Sequence, residues 1–300
     1  MANEQSVWSI PEPAVSSIGK GTSGLGEIVV FIDGRTETGG ILEFAGMLAQ
    51  ERGARLISVF MQPEPAATTP EMFARGAGMR SVIESHEAQL ERIETDYRGK
   101  FEDIVHRRGI PSEWRSLPYL SSEVGVHAYY ADLVVIARPE SAGQTAGPPG
   151  LAESLVLSSG RPIIVFPPRG TVSQLRRIFV AWNATRESIR AVADALPLLV
   201  KAETVEVLVA DHQGHPKGYG QEPGADIARH LASHGAHVDV RRLSSGGEDV
   251  GRLLLSRAAA FGADLLVMGA YGHTQLREWM FGSVTRTVLY EASLPVLMSR

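Results

Sequence analysis

Short apolar runs alternate with stretches of helical periodicity along most of the chain. Between the runs, apolar residues recur with a period of about 3.6, most clearly from Met79 to Ile104 and over a shorter span near 222–234. Strands that alternate with helices favour right-handed crossovers and a parallel sheet covered on both faces, so the pattern predicts an α/β protein. The apolar runs predict strands near 27–33, 55–61, 112–117, 131–137, 162–166, 176–182, 204–210, 237–242, 264–269 and 295–298.

The second half of these runs repeats the first. The segment Ile-Val-Val-Phe-Ile-Asp-Gly-Arg-Thr-Glu matches Ile-Phe-Val-Ala-Trp-Asn-Ala-Thr-Arg-Glu without a gap, and two later strands also match. Matches that keep the same order along the chain indicate two copies of one structural unit. The aligned pairs are 28–37 with 178–187, 131–136 with 263–268, and 162–165 with 295–298.

The repeat predicts where the chain divides. Residues 1–24 precede the first strand and are expected to form a flexible tail. We predict an N-terminal unit at 25–168 and a C-terminal unit at 172–300, joined by a short linker that follows two consecutive prolines.

Composition narrows the class of protein. A chain of 300 residues with 44% hydrophobic content can bury one large core or two ordinary ones. The net charge of −5, without a basic stripe, argues against nucleic acid as a partner. The absence of cysteine excludes disulfides and thiolate metal sites. Neither a signal-peptide pattern nor an apolar run of membrane-spanning length is present, so we expect a cytoplasmic protein that does not bind membranes.

A glycine-bearing segment follows the predicted strand at 264–269. From Gly269 to Ser283 it has the spacing Gly-x2-Gly-x9-Gly-Ser, and helical periodicity begins at Val284. Glycines let the backbone approach a ligand closely, and the free N–H groups of a helix start suit a phosphate. The segment therefore predicts an anion site and, more specifically, a nucleotide site. It has neither the Rossmann nor the P-loop spacing.

The repeat and the glycine spacing together resemble a tandem member of the universal stress protein family, from about residue 25 to 300. The resemblance implies a five-stranded parallel sheet of order 3-2-1-4-5 in each unit, the adenine nucleotide alpha hydrolase-like fold. It also implies that the units pair through strands 162–166 and 295–298 as an internal pseudo-dimer, which would cover two open sheet edges. Further assembly into a homodimer is left open.

Many members of the family bind ATP, so the resemblance implies ATP or a related adenine nucleotide as ligand, with or without Mg²⁺. It places the site in the C-terminal unit, with the nucleoside near the end of the first strand and the phosphates at the glycine segment. It implies no catalytic and no metal-binding residue. The residues expected at the nucleotide are Ala181, Trp182, Asn183, Met268, Gly269, Gly272, His273, Arg277, Gly282, Ser283, Val284 and Thr285.

Two of these residues also have a structural explanation. Asn183 stands where the family carries an acidic residue, and it would bond a ribose or base edge more weakly than a carboxylate does. Alternatively, Asn183 bonds the loop backbone, as asparagine does in turns. Trp182 either stacks on adenine or packs at the end of its strand, and packing is favoured.

The corresponding segment of the N-terminal unit has lost the pattern. Ala137, Glu140 and Leu151 replace two glycines and the serine, while Gly150 matches the last glycine. A carboxylate at Glu140 would repel phosphate charge, and three prolines in the segment lack an N–H group to donate. We predict that this unit does not hold a triphosphate and serves as a structural partner. The alternative is a loop rearranged around a different ligand.

The residues leave three functions open. The first is a nucleotide-binding protein of the stress response or its regulation, without efficient catalysis. The second is a slow nucleotide hydrolase, and the third is an interaction scaffold that no longer uses the site. The glycine segment lacks an acidic pair suited to hydrolysis, which argues against an efficient enzyme. Resemblance of fold does not choose among the three, because function depends on the site.

Overall fold

A computed structural model describes residues 24–34, 39–63, 77–118, 123–138, 150–168, 170–210, 222, 224–270 and 283–300. The strands in these ranges are β1 (Glu27–Ile32), β2 (Arg55–Met61), β3 (Ser112–Leu117), β4 (Leu133–Ala137), β5 (Ile163–Phe166), β6 (Arg177–Trp182), β7 (Thr204–Ala210), β8 (Val238–Leu243), β9 (Leu265–Gly269) and β10 (Val296–Ser299). The helices are α1 (Gly39–Arg52), α2 (Ala77–Arg108), a 3₁₀ helix (Val124–Ala128), α3 (Leu151–Ser158), α4 (Arg186–Leu199), α5 (Ala225–Ser233), α6 (Val250–Phe261) and α7 (Ser283–Glu291). No helix in the described ranges is long and apolar enough to cross a bilayer.

Every predicted strand is present, within two residues at either end. The largest difference is at β4, which begins at Leu133 and not at residue 131. Asp132 lies outside the strand because its carboxylate accepts hydrogen bonds from the backbone N–H groups of Gly26 and Glu27, at 2.6 and 3.0 Å. Asp264 does the same for the start of β6. The repeat seen in the sequence thus extends to individual hydrogen bonds that hold the first strand of each unit.

The strands form one continuous sheet in the order β3-β2-β1-β4-β5-β10-β9-β6-β7-β8. Each half has the predicted order 3-2-1-4-5, and neighbours within a half are parallel. The halves join where β5 and β10 pair antiparallel, with Leu297 opposite Ile164. The predicted pairing of the two units is therefore confirmed, and it merges two five-stranded sheets into one.

Two apolar cores lie on opposite faces of the sheet. On the first face, α1, α2, α4 and α5 pack against alternate strand residues such as Val30 and Val180. On the second face, the 3₁₀ helix, α3, α6 and α7 pack against the intervening residues, among them Phe31 and Phe179. Burial on both faces explains why the strands read as continuous apolar runs.

The topology determines where a crevice opens. Strands β6 and β9 are neighbours, but the helix that follows β6 lies on the first face and the helix that follows β9 lies on the second. The connections therefore diverge between the carboxyl ends of β6 and β9, which is where open α/β sheets bind their ligands.

Candidate functional site

The carboxyl ends of β6 and β9 bring the two halves of the predicted site together. Ala181 of β6 pairs with Met268 of β9, and each strand ends one residue later. Met268 is buried, and Ala181 packs against the same second-face core. The Met268 side chain therefore belongs to the core, whereas Ala181 is only partly buried at the end of its strand.

Asn183 organises the turn that leaves β6. Its side chain is exposed, and its Oδ1 accepts hydrogen bonds from the Thr185 hydroxyl at 2.8 Å and the Thr185 N–H at 3.3 Å. This contact is the one expected if Asn183 bonds the backbone of its own turn. Among the described residues, the Asn183 amide nitrogen has no acceptor, so it remains available as a donor at the crevice.

Thr185 connects this turn to α4. It is the N-cap residue, and its hydroxyl oxygen accepts a hydrogen bond from the N–H of Ser188 at 3.4 Å. Thr185 is not among the residues predicted from the sequence to lie at the site. The signal was nevertheless available, because threonine directly before an amphipathic run is a common helix start.

Ala184 adopts a left-handed backbone conformation, with φ of 55°. Gly34, its counterpart in the aligned repeat, has φ of 67°. The same turn therefore recurs in both units, but the C-terminal unit forms it with a residue that has a Cβ atom. Such a conformation is unfavourable for alanine.

Ala184→Gly should raise the free energy of unfolding by about 0.5 kcal/mol, because relief of the steric cost exceeds the added flexibility of the unfolded chain. Urea denaturation measures the difference. The mirrored control is Gly34→Ala, which places a Cβ atom 3.0 Å from Pro63 Cδ and should lower stability. A loss of stability in Ala184→Gly would contradict the strain assigned to this turn.

Gly269 lies against the first turn of α4. A Cβ atom at this position would come within 2.5 Å of the Glu187 carbonyl carbon and the Ser188 nitrogen. The glycine spacing predicts that Gly269 allows close approach of a ligand. The structure shows close approach of a helix at this glycine, and this contact holds the α4 N-terminus beside the end of β9.

Trp182 is half-buried and packs against the first-face core, which is the packing role favoured from the sequence. On the opposite face, Val284 packs against the second-face core and Thr285 is 4% exposed. Ser283 begins α7, so a second helix N-terminus reaches the carboxyl edge of the sheet. Gly272, His273, Arg277 and Gly282 lie outside the described residues.

The crevice therefore lies between two helix N-termini, one on each face of the sheet. A helix N-terminus carries partial positive charge and unpaired N–H groups, both of which favour anions. Polar side chains at this edge include Asn183 and Thr185, and also Glu187 in the first turn of α4, whose Cβ atom would lie 2.8 Å from a Cβ atom on Gly269. The arrangement is suited to binding an anion through backbone donors, with an amide beside it.

Comparison with known proteins agrees with this architecture. The Universal stress protein family model matches residues 175–300. No curated protein matches the chain in a sequence search. Among solved structures, a universal stress protein from Archaeoglobus fulgidus DSM 4304 is 15% identical, with 91% of this chain and 96% of that chain covered and a TM-score of 0.67. A functionally unknown protein from Pseudomonas aeruginosa PAO1 is also 15% identical, covering 92% of this chain and 93% of that chain with a TM-score of 0.58.

The fold and the crevice define a doubly wound α/β protein made of two repeated units in one sheet. Residues 175–300 are a universal stress protein domain, as the glycine spacing predicted. The fold shared with the A. fulgidus protein extends over nine-tenths of the chain. The family match therefore covers the C-terminal part of the chain, and the likeness of the whole chain to solved structures is one of fold.

Proposed function

We propose that the protein binds ATP or a related adenine nucleotide at the carboxyl ends of β6 and β9, and that it acts in the stress response or its regulation without efficient catalysis. The observation that carries the proposal is that the helices after the neighbouring strands β6 and β9 lie on opposite faces, so the N-termini of α4 and α7 reach the same edge of the sheet. Phosphate oxygens accept hydrogen bonds from such N–H groups.

The glycine segment supports the phosphate half of this proposal. It starts at Gly269, the last residue of β9, and ends at Ser283, the first residue of α7. A phosphate-binding loop needs both ends held in this way, because its donors are backbone groups that must face one point. In the N-terminal unit, the changed residues of the matching segment favour a structural role, so we expect one nucleotide per chain.

The nucleoside half involves Asn183. Its Oδ1 accepts from Thr185, while its amide nitrogen has no acceptor in the described part of the chain, so the side chain would donate to a ligand where an acidic residue would accept. Loss of a charged acceptor would weaken binding by on the order of tenfold, which corresponds to about 1.4 kcal/mol. We therefore expect moderate affinity.

Two simple measurements test the proposal. Purified protein is heat-denatured and the supernatant is analysed for released nucleotide; fresh protein is then incubated with ATP and Mg²⁺. Bound ATP that is not hydrolysed supports the proposal. Steady production of ADP would support the slow hydrolase, and absence of both binding and turnover would support the interaction scaffold.

Gly282→Asp should weaken nucleotide binding by more than about tenfold, because it adds a side chain and a like charge beside the phosphates. Isothermal titration calorimetry with ATP measures the effect. The matched control is Gly99→Asp in α2, where an added Cβ atom meets nothing within 4 Å. Unchanged affinity in Gly282→Asp would show that the glycine segment does not hold phosphate.

A further inference from the structure

A partly buried polar cluster crosses the junction between the two units. The Tyr290 hydroxyl on α7 of the C-terminal unit donates a hydrogen bond to Oε1 of Glu153 on α3 of the N-terminal unit. Arg138, which follows β4, donates from Nη1 to the backbone carbonyl of Tyr290. These three residues, the junction cluster, lie on the face of the sheet that α3 and α7 share, where β5 pairs with β10.

Glu153 depends on this contact. It is only 6% exposed, and its second oxygen, Oε2, is buried and has no hydrogen-bond partner among the residues that the structure describes. A buried carboxylate is costly unless it is hydrogen-bonded, so the Tyr290 hydroxyl contributes much of the compensation. Burial and the bond to Glu153 raise the pKa of Tyr290 to about 12. The phenol therefore remains a donor throughout the neutral pH range.

Helix α7 connects the junction cluster to the candidate site. It begins at Ser283 and carries Tyr290 near its end, about 10 Å away at 1.5 Å per residue. Its middle is closely packed, because a Cβ atom on Gly251 of α6 would lie only 2.7 Å from Thr287 Cβ. Val288 and Leu289 are buried at 0% and 1% exposure. A short helix packed in this way moves as one body, so holding its last turn also positions its first.

We infer that Tyr290 is a positioning residue for the nucleotide site: through Glu153, the N-terminal unit holds α7 and thereby places the helix N-terminus at the crevice. The ligand part of this inference rests on the proposed function. It gives the N-terminal unit a role in binding, although its own glycine segment has lost the pattern.

Hydrogen exchange of the α7 amides tests the positioning without any ligand. The amides of residues 287–290 report on the first turn, because they donate to the carbonyls of residues 283–286, and their exchange is called first-turn exchange below. Tyr290→Phe should speed first-turn exchange by about five- to tenfold, while peptides from β7 keep their protection. The control is Arg252→Gln, which removes the exposed ion pair between Arg252 and Glu291 at the same end of α7 and should leave the first turn unchanged. Faster exchange over the whole chain, or no increase in first-turn exchange, would overturn the inference.

Substitutions of Glu153, which accepts the hydrogen bond from Tyr290, provide a second test of the inference. Glu153→Gln keeps an oxygen that can accept from Tyr290, so its effect should be smaller than that of Glu153→Ala. Tyr290→Phe combined with Glu153→Ala should be no worse than the stronger single change, because both remove the same contact. Additive effects on first-turn exchange would show that the two residues act independently.

Measurement of ATP affinity in the presence of Mg²⁺ tests the part of the inference that concerns the ligand. Tyr290→Phe should weaken ATP binding by about three- to tenfold, and Arg252→Gln should not. If first-turn exchange rises but ATP affinity is unchanged, the contact is only structural and the inference fails. If the wild-type protein binds no ATP while first-turn exchange still responds to Tyr290→Phe alone, the proposed function fails and the positioning of α7 stands.

Discussion

Gly269→Ala will lower the free energy of unfolding by about 3 kcal/mol, the upper range for overpacking a buried contact. The added Cβ atom would lie 2.5 Å from two backbone atoms of α4, so no side-chain rotation can relieve the overlap. Either α4 moves away from β9 or the end of β9 distorts. Both outcomes disturb the turn at Asn183 and Thr185, which the first turn of α4 supports.

Urea denaturation measures this effect, and Gly99→Ala is the matched control. Gly99 lies within α2 with open space at its Cβ position, so the same substitution there should raise stability by up to about 1 kcal/mol through helix propensity. If Gly269→Ala lowers the free energy of unfolding and Gly99→Ala raises it, the effect at Gly269 comes from crowding and not from backbone flexibility. Equal stability of Gly269→Ala and wild type would show that α4 is not held against β9.

Residues 171–300 produced alone will self-associate at micromolar concentration, because removal of the N-terminal unit uncovers β10. Val296, Leu297 and Met298 are no more than 1% exposed in the full chain, and they pair with β5. An uncovered strand of this kind is a template for pairing with another chain. The opposite edge, β8, carries Asp239, Arg241 and Arg242 and is much less suited to association.

Sedimentation velocity on residues 171–300 gives the association state directly. Addition of equimolar residues 24–168, which contain β5, should replace the self-associated form with a one-to-one complex, since this restores the original β5–β10 pairing. A fragment that remains monomeric and folded would show that the junction contributes little to stability.

Much of the fold could be predicted from the sequence because its determinants are local. A parallel strand buried on both faces must be apolar at nearly every position, so the strands appear as short continuous runs. Repetition of those runs in the same order indicated two units, and the resemblance supplied the strand order and the pairing at residues 162–166 and 295–298. The structure confirms the strand order in each half and the pairing of β5 with β10.

The candidate site was predictable only in outline. Alternation of strands and helices placed Asn183 and Gly269 at one edge of the sheet, and the structure brings them there. The roles of individual residues were less accessible. Gly269 is close to a helix, and Asn183 bonds the turn beside it. A glycine or an asparagine at a strand end has the same appearance in a sequence whether it faces a ligand or its own chain.

By itself, the sequence determined the class of fold, the repeat and the position of the glycine segment, because hydrophobic periodicity and residue spacing are properties of neighbouring positions. Only the tertiary structure decided how residues far apart in the chain meet. The contact of Tyr290 with Glu153 joins residues 137 positions apart, and no periodicity relates them. Likewise, the close approach of β9 to α4 depends on how a helix packs on the sheet, and that distance is decided when the whole domain folds.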